Sequence, residues 1–343
     1  MSDVLGIDIG QNTIKIVSIG SEISGKLILD TIGETLTPRM ESFGKNRQKY
    51  INALSDSIKS LLSDLKIKGK KAVVDLPENE VVSRLVRLPP LKDSEIMDAL
   101  RFEAETFVPY PLDEVSLDYE IVEKDESGRL TIFVIAARNE LINEQVKLFK
   151  MLGIELVALE SPSVALRRII KNSVKTVERV MVLDIGEKFS DIFSFNKGNV
   201  YFARSLPVGG ESLTRAISLG LALDMPSAEE YKKAYGIKEE ELEGKIRAAV
   251  LPVFNSISDE VRKAMALFAE DSSGKRVELL VLSGGGANLP GVAEELTKKL
   301  GVEVQVAQPF INIDVSQINS QFNLNTEGCR FSLAVGLSLR GLL

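Results

Sequence analysis

The 343-residue sequence contains no histidine and a single cysteine, Cys329. Without histidine there is no Ser–His or Cys–His catalytic couple, and one thiol is too little for a zinc site. A lone cysteine also allows no internal disulfide and fits a reducing compartment. Long apolar runs are missing: the longest, such as 180–183 and 279–282, are strand-sized, against the roughly 20 residues that span a bilayer. The start, MSDVLGIDIG, has no basic n-region and enters a strand at once, so no signal peptide is expected. Positive charge is not in excess either. With 42 basic and 49 acidic residues, a net charge of −7 argues against a nucleic-acid partner. These absences point to a cytoplasmic protein whose chemistry runs on carboxylates, lysines and backbone amides.

What is present is a repeat. The segment 4–20, VLGIDIGQNTIKIVSIG, returns 176 residues later at 180–196 as VMVLDIGEKFSDIFSFN. The copies share Val4/Val180, the Asp-Ile-Gly triplets 8–10 and 184–186, Ile16/Ile192 and Ser18/Ser194. Each reads as a β-hairpin whose turn holds a carboxylate and a glycine free to take positive φ. Two such hairpins, in a chain long enough for two domains, suggest similar lobes facing one another across a cleft. Each would offer N–H groups to a phosphate and an Asp to its metal ion.

Around the repeat, periodicity predicts a helix over 49–65 and a buried strand over 73–76 that Pro77 stops. A change of pattern follows: strand 81–88, helix 93–107, strands 116–122 and 130–137, helix 140–152. This block reads as an inserted α+β subdomain, 81–152. Gly153 fits a helix C-terminus, and Ser161-Pro162 forms an N-cap and first-turn pair. Ser227 and Glu230 read as a capping box for a helix ending near Gly236, and a helical stretch over 239–270 would kink or break at Pro252. The resulting division is a first lobe of 1–80, 153–178 and 327–343, the insert, a second lobe of 179–220 and 271–326, and its helical part, 221–270.

Individual motifs carry the chemistry. Asp8, Gly10, Gln11, Asn12 and Thr13 form a tip suited to β- and γ-phosphates, with Lys15 beside it. Asp184 and Gly186 repeat the arrangement, but Glu187, Lys188 and Phe189 make that turn bulkier. Gly284, Gly285 and Gly286, followed by Asn288, sit between an apolar strand and a helix, where a flat or anionic group can approach closely. Their spacing is not that of a dinucleotide-binding fingerprint. Gly209 and Gly210 precede a helix start, Glu229 and Lys232 lie three apart on a helix, and Glu160 ends a strand near the hinge. For each of these, plain structural roles are equally compatible with the spacing.

In this order, hairpin, hinge, second hairpin, Gly-Gly loop, A-E-x-x-K helix and strand-GGG-x-N, the chain resembles the actin-like ATPase superfamily of actin, MreB and FtsA. Residues 91–119, LKDSEIMDALRFEAETFVPYPLDEVSLDY, and the stretch LSGGGANLPGV at 282–292 are most similar to the PilM family of type IV pilus assembly. The last residues, up to Leu343, lack the basic amphipathic helix typical of FtsA. The resemblance implies an α/β actin-like fold: two RNase H-like lobes around a nucleotide cleft, with an FtsA-type insert. It implies ATP or ADP with Mg²⁺, bound by Asp8, Gly10, Gln11, Asn12, Thr13, Lys15, Asp184, Gly186, Gly209, Gly210, Glu229, Lys232, Gly284, Gly285, Gly286 and Asn288. Asp8 and Asp184 would hold the Mg²⁺ through water. Glu160 is the one candidate to orient a hydrolytic water, so at most slow ATP hydrolysis is expected.

The partner implied is the N-terminal cytoplasmic tail of a bitopic inner-membrane protein, PilN-like, which would bring the chain to the inner face of that membrane. Val82, Arg84, Phe102, Phe107 and Tyr110 are the candidate tail contacts, with the edge of strand 81–88 as the pairing site. The resemblance also implies other pilus assembly proteins as partners and allows self-association, without direct membrane insertion. The alternatives are a polymerising cytoskeletal protein and a small-molecule kinase of the same superfamily.

Overall fold

The structure, a computed structural model, describes residues 4–67, 71–174, 176–238, 244–272, 274–318 and 320–342. In the first lobe, the strands are β1 (Val4–Ile9), β2 (Thr13–Ser21), β3 (Leu27–Leu36), β4 (Lys71–Asp75), β8 (Glu155–Glu160) and β14 (Ile313–Asp314). They form one sheet in the order β14-β3-β2-β1-β4-β8. The second lobe builds β9 (Arg179–Ile185), β10 (Ser190–Asn196), β11 (Asn199–Leu206), β12 (Leu279–Ser283) and β13 (Glu303–Val306) into a sheet ordered β11-β10-β9-β12-β13. Apart from β14, the orders superimpose: an antiparallel meander, then two parallel strands. The sequence repeat is therefore a structural one, and β1–β2 and β9–β10 are its matched hairpins, pairing Asp8 with Lys15 and Asp184 with Asp191.

Helices close the parallel connections, which need a crossover. In the first lobe these are α1 (Arg47–Asp64) and α3 (Asn139–Leu152); α4 (Pro162–Ser173) leaves toward the second lobe. The second lobe uses α5 (Gly210–Leu221), α6 (Met225–Tyr235), α7 (Lys245–Asp271) and α8 (Val292–Leu300). Ser161 caps α4 by accepting from Ser163 N, and Gly153 ends α3 at φ 69°, both as expected. The α6 start differs from the expected capping box: Asp224 accepts from Ser227 N, so the helix begins three residues earlier. Pro252 lies inside α7, which runs on past it; residues 239–243 of the expected helical stretch lie outside the described residues. After the short α9 (Leu324–Glu327), α10 (Ser332–Ser338) packs on β1 so closely that a Cβ on Gly6 would lie 2.1 Å from Ala334 O.

The insert's sheet, ordered β5-β7-β6, comprises β5 (Val81–Leu88), β6 (Val115–Lys124) and β7 (Leu130–Arg138), with α2 (Asp93–Ala104) on one face. Helix α3, read as part of the insert, straddles its boundary: Leu141 packs with Val81 and Ala137 of the insert, and Leu148 and Phe149 with Leu5, Ile7, Ile51 and Leu54 in the first lobe's core. Strand β14, placed with the second lobe by sequence, pairs with β3 of the first. Alternation in β7 explains where the insert sits. Leu130, Ile132 and Val134 meet Ile96 and Leu100 of α2, whereas Phe133 joins the large core shared by the two lobes. Polar contacts also tie the insert to the second lobe: Arg87 pairs with Asp271 at 2.9 Å, and Asn199 Nδ2 donates to Val122 O at 3.0 Å.

Candidate functional site

The two hairpin tips face a cavity of about 590 Å³ between the lobes, within the usual size of a ligand site. Both tips close in the same way, Gly10 N donating to Thr13 O at 3.1 Å and Gly186 N to Phe189 O at 2.9 Å. Neither glycine has positive φ, contrary to expectation; the lack of a side chain matters because a Cβ would lie 2.9 Å from Thr13 O or 3.0 Å from Phe189 O. Of the expected nucleotide contacts, Asp8, Gly10, Gln11, Asn12, Thr13, Lys15, Asp184, Gly186, Gly210, Glu229, Lys232, Gly284, Gly285, Gly286 and Asn288 line this cavity. Gly209 does not. A Cβ there would meet Glu187 O at 2.6 Å, so its smallness serves the contact between α5 and the second hairpin.

That contact revises two further expectations. Gly210 N donates to Gly186 O and Glu211 N to Glu187 O, both at 2.8 Å, so these opening amides of α5 are bonded to protein and offer no anion seat. Lys232 is buried, and its Nζ lies 3.0 Å from Gly210 O, 2.8 Å from Thr214 Oγ1 and 2.6 Å from Glu229 Oε2. Three partners use the three protons of an ammonium group. Lys232 thus ties α6 to α5 at the wall of the cavity. Lys15, by contrast, points inward, its Nζ 3.1 Å from Asp8 Oδ2.

The triple-glycine turn divides its labour. Gly284 has φ +79°, and a Cβ on it would fall 2.6 Å from Ile185 O; one on Gly286 would fall 2.3 Å from Ile185 Cγ2. Those two let the turn lie against β9. Gly285 is exposed with nothing within 4 Å of its Cβ position, so it is the member open to a ligand.

Carboxylates are numerous in the cavity, and sequence reading missed Asp75, Glu78, Asp191 and Glu327. Asp75 ends β4 and accepts from Ile9 N at 3.2 Å; burial, with the Asp8 charge adding to it, pushes its pKa to about 8. Glu78 is buried and accepts from Ser161 Oγ at 3.0 Å and Ser83 Oγ at 3.4 Å; burial, then the Asp191 charge, raises it to about 8. Asp191 rises to about 7 through burial, opposed by the Ser205 hydroxyl and reinforced by Asp184. Asp184 is itself raised, first by burial. The available signal was positional: in open α/β sheets ligands gather at the carboxyl ends of the parallel strands, and Asp75 stands at one. Among the described residues no three His, Cys, Asp or Glu side chains form a ready cage for a metal ion. Such a donor set fits Mg²⁺ held through water and ligand phosphates rather than by direct carboxylate coordination.

Glu160 is not in the cavity. Arg168 grips it from two nitrogens at 2.7 and 2.8 Å, and Arg340 binds it as well, so its carboxylate is fully engaged in structure. On the insert, Val82 and Phe107 share a small apolar cluster, Arg84 lies 5.3 Å over the Phe107 ring, and Arg138 lies 5.6 Å over Tyr110. Phe102 stands apart from them on the outer face of α2, 71% exposed. Strand β5 is an edge of its sheet, as expected.

Comparison with known proteins agrees with this architecture. The family described as Type IV pilus assembly protein PilM matches residues 6–342. A solved PilM-PilN type IV pilus biogenesis complex is 26% identical, with a TM-score of 0.85 over 100% of this chain and 99% of that one. MreB 5 of Spiroplasma citri, bound to AMPPNP, shares the fold at TM-score 0.56 and 13% identity, covering 98% of this chain and 95% of the other. The cell division protein FtsA of Bacillus subtilis is 24% identical over 294 residues, 70% of this chain; the match spans 62% of that relative's length.

Proposed function

Because the chain belongs to the PilM family of type IV pilus assembly proteins, we propose that it is an actin-like scaffold holding ATP or ADP in its interlobe cavity. The observation that carries this reading is the pair of matched Asp-Ile-Gly hairpins lining one cavity together with the open Gly285. Mg²⁺, when bound, would neutralise phosphate charge in a cavity rich in carboxylates, with Asp8 and Asp184 ordering its water shell. Lys15 keeps Asp8 aimed inward, and Gln11, Asn12 and Thr13 supply donors to the phosphates.

Hydrolysis is slow in this reading. Glu160 is locked in ion pairs, and Glu78, with a pKa of about 8, carries a proton at neutral pH and is a poor proton acceptor. The bound partner is the cytoplasmic tail of a PilN-like membrane protein, resting on the Val82, Arg84 and Phe107 face of the insert beside β5 and drawing the chain to the membrane. Among the described residues no helix is long and apolar enough to cross a membrane. Two titrations test the proposal. Calorimetry should show Mg–ATP binding that a chelator removes, and a peptide copying a PilN-like tail should bind the parent but not Arg84→Glu. No heat with Mg–ATP would contradict the nucleotide part; equal peptide affinity in both proteins would contradict the partner surface.

A further inference from the structure

The bulky second tip, Glu187-Lys188-Phe189, has a counterpart on the other lobe. Residues 37–46 join β3 to α1 and begin on the first hairpin: Thr37 N donates to Asn12 O at 2.9 Å and Thr37 Oγ1 to Gly10 O at 2.7 Å. Farther along, Glu41 Oε1 lies 2.6 Å from Lys188 Nζ on the second hairpin. Glu41 is the acidic residue of the joining segment that meets the second hairpin. A glutamate from one lobe thus meets a lysine from the other, opposite signs facing. Lys188, Arg39 and Glu41 do not line the cavity, whereas the tips beside them do, which puts the contact on its rim.

We propose that residues 37–46 form a strap, anchored on the first hairpin by Thr37 and latched to the second through Glu41–Lys188, that slows exchange of the ligand held between the tips. The strap rests on the reading of the cavity as a nucleotide site. Parting the hairpins has to break the latch, and the latch stabilises the closed state alone. An exposed ion pair is too weak to hold a fold together, but it is strong enough to alter a release rate.

Two measurements decide it. Carbodiimide coupling of the nucleotide-free chain, followed by peptide mass mapping, should yield a Glu41–Lys188 isopeptide; its absence overturns the strap whatever the cavity binds. Release of a fluorescent ATP analogue, chased with excess ATP, should be about two- to fivefold faster in Glu41→Lys and in Lys188→Glu. The double exchange should return close to the parent rate, and the differences should shrink in high salt. Parent-like release in both single variants, or a double variant faster than either, overturns the gating role. An analogue that never binds the parent overturns the nucleotide reading and the gating with it, and the cross-link distinguishes that failure from an open strap.

Discussion

The two hairpins have the same topology and the same Asp-Ile-Gly, yet their surroundings differ. The first tip is tied to the body through Thr37 and leaves Gln11 and Asn12 exposed beside the cavity. The second is bonded through Gly186 O and Glu187 O to the opening amides of α5, and α5 is pinned in turn by Lys232. A duplicated element has been left open in one lobe and closed by protein in the other. Ligand phosphates should therefore be gripped by the first hairpin and the Gly285 turn, with the second hairpin acting as a rigid wall.

The largest effect belongs to the turn that faces the first hairpin. Gly285→Val should abolish Mg–ATP binding while the circular dichroism spectrum stays at the parent's, because the added side chain enters open space. Gly286→Val should instead lower the thermal midpoint, since its Cβ position is 2.3 Å from Ile185 Cγ2. If both variants fold and bind alike, the division of labour within the turn is wrong. Next comes Glu160. Glu160→Gln leaves Arg168 and Arg340 without their carboxylate and should destabilise by about 3 kcal/mol, the scale of a broken buried ion pair, with Mg–ATP affinity unchanged. Chemical denaturation and calorimetry on one preparation measure both.

The hairpin asymmetry itself is tested by paired aspartates. Asp8→Ala should weaken Mg–ATP by about 1–3 kcal/mol, as for a lost charge-assisted contact. Asp184→Ala should cost less, because burial already disfavours its charge. Equal losses would erase the asymmetry. The smallest effect is on pH. Glu78 has a folded pKa of about 8 against an ordinary 4.5, so its contribution to stability is complete below 4.5 and is lost as pH rises through 8. The thermal midpoint of the ligand-free chain should fall across that window, and Glu78→Gln should reduce the fall by a few degrees. An unchanged profile in the variant would remove Glu78 as a source.

Much of this was legible in the sequence, for reasons that can be named. The hairpins were visible because alternation and a repeated Asp-Ile-Gly are local signals, and α4 because Ser161 and Pro162 are adjacent. The double packing of α3 was not: its amphipathic pattern does not say that Leu141 meets the insert while Leu148 and Phe149 enter the first lobe's core. For the same reason the spacing of Glu229 and Lys232 predicted a shared helix face but not Thr214 and Gly210, contributed from α5, that complete the ammonium's partners. Glu78 carried no motif at all. Its position beside Ser161 depends on a strand end and a helix start 83 residues apart.

Hydrogen–deuterium exchange with and without Mg–ATP tests the central claim most directly, because it reads both hairpins in one experiment. The account predicts new protection at residues 11–15 and 284–288, with little change at 187–190, where the tip is already held against the opening amides of α5. Protection confined to 187–190, or none at either hairpin, would contradict it.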